Sequence, residues 1–195
     1  MSRREQENKV LYGFRDLYIG TYTVDEDTQE VTMGTPYHQT GAVGFSPESQ
    51  GSNYTFYADD TSYFSKYTTG AYEGDLVVAR FDDAFRKAFL GYIELADGGL
   101  AEVKNPNKPN IYMMYESQGE KGPERTIWYN GSLGSITREV ATIEDEIEVN
   151  TETIQVTFVG DNKTEITKVT YGKDRAGFDT LFTNPPAPVL PSVSE

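Results

Sequence analysis

Two adjacent acidic pairs, Asp59-Asp60 and Asp82-Asp83, and an acidic run holding Glu144, Asp145, Glu146, Glu148 and Glu152 carry the widest chemical options in this chain. Two carboxylates at a suitable separation act as acid and nucleophile in glycoside hydrolysis. Adjacent strand residues point to opposite faces, however, and each pair has a local use. Asp59-Asp60 can close a turn after a strand. Asp82 or Asp83 can cap a helix, whose N-terminal dipole favours a carboxylate. Calcium would require a concentrated oxygen shell, and the EF-hand spacing is absent, so Asp25–Glu30 and Glu144–Glu148 read as solvated acidic surface. Gly131-Ser132-Leu133-Gly134 lacks the Lys of a phosphate loop. His38, the one histidine, sits in Gly34-Thr35-Pro36-Tyr37-His38-Gln39-Thr40-Gly41 with no nucleophile elbow anywhere in the chain, and reads as a solvated loop residue. The chain has no cysteine, which removes thiolate metal sites, thiol nucleophiles and disulfides. No catalytic constellation forms; no enzyme activity, cofactor or metal is expected.

The elements that must hold these residues read as strands. The chain has 195 residues, with 14 Tyr, 10 Phe and 18 Gly, and 17 Lys+Arg against 31 Asp+Glu for a net charge of −14. That length suits one domain with short extensions. The acidic balance disfavours a non-specific grip on nucleic acid, which needs cations on phosphates. No stretch is long enough to span a membrane, and Met1–Glu7 lacks the apolar core of a signal peptide, so a soluble, cytosol-made protein is expected. The sequons at Asn53, Asn130 and Asn162 then carry no weight.

A first strand is predicted from about Val10 to Val24. Tyr12, Phe14, Tyr18 and Tyr22 share one parity and Leu11, Leu17 and Ile19 the other, so both faces should be covered. Asp25–Glu30 turns the chain back through Val31-Thr32-Met33. Strands follow at Ala42–Phe45, Asn53–Ala58 and Asp75–Phe81, with Asp60–Gly70 as an irregular loop. One helix is expected, capped by Asp82 or Asp83, with Ala84, Phe85, Ala88 and Phe89 at helical spacing, Gly91 at its end and Phe81 stapled on Phe85. Ile111–Glu116 and Arg125–Tyr129 should flank a protruding loop of Ser117, Gln118, Gly119, Glu120, Lys121, Gly122, Pro123 and Glu124. Asn130-Gly131 signals a type I′ turn into Ser132–Val140. Ile154, Val156 and Phe158 alternate with Thr153, Gln155 and Thr157, and Gly160–Lys163 should fold that strand into a hairpin with Thr164–Tyr171. Residues 1–8 read as an arm, 9–183 as the domain and 184–195 as a proline-rich extended tail.

One block carries a resemblance. Tyr57-Ala58-Asp59-Asp60, Gly74-Asp75-Leu76-Val77-Val78-Ala79-Arg80-Phe81 and the helix running into Leu90-Gly91-Tyr92 resemble the major tail (tail tube) proteins of siphophages of Gram-positive bacteria. The opening strand with Leu17-Tyr18-Ile19-Gly20, and the later Arg125–Tyr129 and Glu152–Phe158, fall in the matching order. The resemblance runs from about Lys9 to Phe182 as a pattern of strands rather than a catalytic motif. It implies a mainly β fold, a β-sandwich or barrel-like domain with one short flanking helix.

It also implies a structural protein of the virion. Hexameric rings would stack into a non-contractile tube, contacting tape measure, distal tail and terminator proteins, with DNA passing through and no membrane insertion. Six copies at −14 each would give a ring −84 formal charges, and an acidic lumen would repel phosphates and let the genome slide. Glu144, Asp145, Glu146, Glu148 and Glu152 are candidates to face that lumen, with solvation of the outer wall as the alternative. Ser117–Glu124 is the candidate inter-ring loop, beside Asp60–Gly70 and the two termini. Two other functions stay open: a carbohydrate-binding or adhesion module using Tyr63, Phe64, Tyr67 or Trp128 as sugar platforms, and a glycosidase using Asp59, Asp60 or the Glu144–Glu152 carboxylates. Tail-like bacteriocins and gene-transfer particles use related tubes.

Overall fold

The computed structural model describes residues 8–58, 61–138, 140 and 150–190. Thirteen strands and one helix follow in the order β1 (Leu11–Val24), β2 (Val31–Met33), β3 (Tyr37–Gln39), β4 (Ala42–Ser49), β5 (Ser52–Ala58), β6 (Thr61–Thr68), β7 (Tyr72–Val78), α1 (Asp83–Leu90), β8 (Ile93–Glu94), β9 (Leu100–Ala101), β10 (Ile111–Gly119), β11 (Glu124–Arg138), β12 (Glu152–Phe158) and β13 (Lys168–Gly172). The main sheet is antiparallel, with the path β2-β1-β10-β11-β12-β7-β4. The mainly β class with one short helix is as expected.

Two strands are split along one edge. β2 and β3 both pair with the side of β1 that faces away from β10, separated by Gly34-Thr35-Pro36. β12 and β13 both pair with the side of β11 that faces away from β10. The anticipated β12–β13 hairpin is therefore corrected: the chain leaves the edge of β11 after Phe158 and rejoins the same edge at Lys168. Asp161 holds this excursion, accepting from the Thr164 N–H at 2.7 Å and the Tyr22 hydroxyl at 2.7 Å.

Asn130-Gly131 is likewise a correction. β11 runs straight through it as one 15-residue strand. Asn130 takes φ 52°, and the register against β10 slips between Ile111/Gly131 and Met113/Trp128. The left-handed preference that makes Asn-Gly a turn signal here produces a bulge inside the strand. The buried Asn130 amide donates to the Gly160 carbonyl at 2.8 Å and accepts from Asn110 at 3.1 Å. A side chain at Gly131 would strike the Phe158 ring, 2.5 Å from the Cβ position.

The sheet has two apolar faces. One closes around Leu17, Ile19, Leu76, Val78, Trp128, Ile154, Val156 and Phe158, with α1 laid against it through Phe85, Phe89 and Leu90. The other gathers Tyr22, Tyr112, Met114, Ile127, Tyr129 and Leu181. Over Leu17–Tyr22 β1 divides its parities between the two as expected, Leu17 and Ile19 on one and Tyr18 and Tyr22 on the other. Before that the expectation is corrected: the irregularity at Asp16 (φ 53°) shifts the register, so Phe14 packs with Leu17 and Ile19, and Leu11 and Tyr12 are exposed. The helix also forms as read. Asp82 caps it, accepting from the Phe85 N–H at 2.8 Å and from the Tyr37 hydroxyl. Gly91 ends it in the left-handed conformation, and Phe81 stacks on Phe85 with ring centroids 4.7 Å apart.

The Ser117–Glu124 loop is shorter than expected. Ser117, Gln118 and Gly119 extend β10 and Glu124 opens β11, leaving Glu120, Lys121, Gly122 and Pro123 as the connection. Asn8 clasps that turn, donating to the Gly122 carbonyl at 3.0 Å and the Glu124 carboxylate at 2.7 Å and accepting from the Lys121 N–H at 2.8 Å. Of the stretch expected as a loop over Asp60–Gly70, Thr61–Thr68 is instead β6, which among the described residues pairs with β5 alone.

A candidate assembly surface

The β5–β6 hairpin stands off the main sheet. Its composition explains the strands: both are rich in Tyr, Phe and Thr, and β-branched and aromatic side chains suit a pleated ribbon. Gly51 and Gly70 explain the departure. At Gly51 an added Cβ would lie 2.2 Å from the Tyr67 hydroxyl, and at Gly70 2.3 Å from the Gln50 carbonyl oxygen. Just below, the Gln50 N–H donates to the Ala71 carbonyl at 2.8 Å. Two glycines thus let β4 and β7 pinch together and pass into a separate two-stranded ribbon.

Register sorts the ribbon into two faces. Tyr54 pairs with Lys66 and Phe56 with Phe64 on one; Asn53 pairs with Tyr67 and Thr55 with Ser65 on the other. A slip after Phe56 inserts an extra residue next to Tyr57 and Ser62. The polar face is stitched, the Ser65 hydroxyl donating to Asn53 Oδ1 at 3.0 Å. The aromatics have no cover. Tyr54, Phe56, Tyr57, Tyr63, Phe64 and Tyr67 are all 49% exposed or more, up to 79% at Tyr63. A lone two-stranded hairpin is marginal in water, and the exposed apolar face formed by Tyr54, Phe56 and Phe64 is of the kind that marks an interaction site.

Of the expected site residues, Tyr63, Phe64 and Tyr67 lie on this hairpin. Glu144, Asp145, Glu146 and Glu148 lie outside the described residues. Glu152 is placed differently from the expectation: its side chain is buried, takes both 2.7 Å bonds from Arg86 Nη2, and accepts the Phe81 N–H at 2.8 Å. Sequence reasoning missed this partner because Arg86 sits 66 positions away. A carboxylate so occupied joins helix to sheet and is not exposed on the surface of the protomer. Trp128 is corrected as a sugar platform, since it is 1% exposed between Phe45, Tyr72 and Phe158. Asp59 and Asp60 are outside the described residues, and Asp82 is spent on capping. Among the described residues no group of His, Cys, Asp and Glu could hold a metal ion, and no helix is long and apolar enough to cross a membrane.

A second buried charge lies on β10, beside β1. Glu116 accepts from Arg15 and, at 2.9 Å, from Arg125 Nε. Burial pushes its carboxyl upward, but the two guanidinium bonds outweigh burial and hold it below the usual carboxylate range. Sequence gave no sign of this triad, whose members come from three strands.

Two solved structures are similar at low sequence identity. The sheath–tube complex of an extracellular contractile injection system in its extended state is 8% identical, with a TM-score of 0.50, over 88% of this chain and 99% of that one. The cap that terminates the anti-feeding prophage tube is 10% identical, with a TM-score of 0.49, over 88% and 99%. No curated protein matches the chain. The family model for phage tail tube proteins matches residues 1–180, nearly the whole domain described above: the chain belongs to the phage tail tube protein family.

Proposed function

We propose that this structural tail tube subunit builds a non-contractile, siphophage-type tube in which hexameric rings stack around an acidic DNA channel. The observation that carries the assembly reading is the uncovered aromatic hairpin β5–β6. Residues of this kind, exposed on a ribbon that cannot bury them itself, are stabilised by contact with another copy. Phe56 and Phe64, each half-exposed and cross-strand neighbours, would contribute roughly 1 kcal/mol apiece on burial. Repeated around and along a tube, that is enough to decide whether rings stack.

The turn Glu120–Pro123, held against Asn8, forms a second contact between rings. Glu144, Asp145, Glu146 and Glu148 supply negative charge to the channel wall; support for this is the run without a basic residue and the chain's −14. Tape measure, distal tail and terminator proteins are the partners at the tube's ends, and the assembled virion is its location.

Negative-stain electron microscopy of concentrated protein tests the reading, beside the Phe56→Ser/Phe64→Ser variant. Hollow tubes of six-fold rings are expected from the parent chain. The variant should keep its fold, because both residues lie off the two cores, and lose stacking. A parent chain that stays monomeric while binding a glycan array would overturn the proposal in favour of a carbohydrate-binding module.

A further inference from the structure

The segment after β13 is held in an unusual way. Residues 178–190 cross the second apolar face as a strap, with Phe178, Leu181 and Pro188 buried and Phe182 partly so. The strap joins no sheet. Its backbone–backbone bonds are local: Phe178 N–H to Arg175, and Thr183 and Asn184 N–H to Thr180. Its bonds to the body come from side chains. Arg125 donates to the Phe178 carbonyl at 2.6 Å and Tyr129 to the Pro186 carbonyl at 3.0 Å.

The grip is a stacked column. His38 lies on Tyr18 at 4.6 Å, Tyr18 on Phe182 at 4.7 Å, and the Arg125 guanidinium is clamped between Phe182 at 4.3 Å and Phe178 at 4.2 Å. Glu116 fixes Arg125 from behind. The body therefore offers a complete seat of fixed shape, formed by β1, β3, β10 and β11. Between β13 and the strap, Lys173, Asp174, Arg175 and Ala176 are all exposed and Gly177 follows. Five such residues extended span up to ~17 Å.

We propose that this strap is exchanged between protomers: in the assembled state the strap of one copy occupies the seat of a neighbouring copy. The inference rests on the self-assembly reading above. The occupant is specified by the fold itself, because the seat is already filled by the same thirteen residues of its own chain (178–190). Exchange preserves every contact between strap and seat; of the strap's own bonds only Phe178 N–H to Arg175, at the hinge, is at stake. It breaks no backbone ladder, needs a change only in the exposed hinge, and adds a link between copies, which is why swapped elements are a low-cost route to association. The exposed Val189 and Leu190 at the strap's outer end then lie next to a second copy rather than in water.

The chain's lack of cysteine gives a clean test. One batch carries Tyr18→Cys and another Phe182→Cys; the two are mixed, assembled and treated with a short bis-maleimide. A cross-linked heterodimer in the assembled fraction, absent from the dilute mixture, is expected. Because those substitutions remove the Tyr18–Phe182 stack, the exposed pair His38→Cys and Thr183→Cys, which leaves Tyr18, Phe182 and Arg125 in place, is run in parallel with a longer linker. Tubes without heterodimer from either pair overturn exchange and leave the tube reading standing. Heterodimer in small oligomers that never form tubes supports exchange and counts against the tube. Neither tubes nor heterodimer overturns both.

Discussion

Replacing Glu152 with glutamine keeps the side chain's shape and removes its charge. In the folded protein Arg86, itself only 15% exposed, would then face a neutral amide where it now makes two 2.7 Å charged bonds. Removing one member of a buried pair costs about 3–5 kcal/mol, because the other charge is left without compensation. The retained amide oxygen can still accept the Phe81 N–H, so the lower end, about 3 kcal/mol, is expected. For a chain of this length that corresponds to a fall in Tm of about 6–12 °C. The double variant Arg86→Met/Glu152→Met should lose less than Glu152→Gln alone, since an apolar pair needs no counter-charge. Its residual loss comes from Phe81, whose N–H and carbonyl both bond to this pair. Urea unfolding followed by the fluorescence of Trp128, the one tryptophan and a member of the same core, reads both variants. A loss below about 1 kcal/mol for Glu152→Gln, or losses of Arg86→Met and Glu152→Met made singly that add up to that of the double variant within about 0.5 kcal/mol, would refute the pairing as the reason Glu152 is buried.

Other consequences are simpler to read. Asn130→Val should cost about 3 kcal/mol in urea unfolding, combining a β-branched residue at φ 52° with the loss of the Gly160 and Asn110 bonds. Asp82→Ala removes the cap and the Tyr37 contact and should cost about 1 kcal/mol in thermal unfolding, with α1 the first region to exchange its amides. The Glu116 carboxyl titrates lower in the folded protein than in the unfolded chain. Its contribution is therefore fully present above the ordinary value of about 4.3 and is lost as pH falls through the lower folded value. The stability gap between the parent chain and Glu116→Gln should be flat from pH 7 to about 5 and shrink below about 4. A gap that grows on acidification would contradict the assigned sign.

Where the physics is local, the residues alone were sufficient. Asp82, the Phe81–Phe85 staple and Gly91 define the helix because capping, aromatic spacing and left-handed closure act within one or two turns. The parities of β1 over Leu17–Tyr22 and the alternation of β12 showed which strand has two covered faces and which has one wet face, since strand side chains alternate by geometry; the bulge at Asp16, which moves Phe14 to the other face, was not legible. The −14 charge and absent cysteines bounded the chemistry, and the block from Tyr57 to Tyr92 pointed to the family.

Tertiary structure decided everything that depended on partners distant in the chain. Asn130-Gly131 has the same intrinsic preference in a turn or a bulge; the strands on either side of β11 selected the bulge. Asp60–Gly70 looked irregular because its partner strand buries none of its aromatics, so no one-sided apolar pattern marks it. Glu152 read as one more surface acid until the fold brought Arg86 and the Phe81 N–H to it. Propensity is a property of neighbouring residues and survives in the sequence, whereas the burial of a charge, the register of a strand and the seat of the strap are set only when distant segments meet.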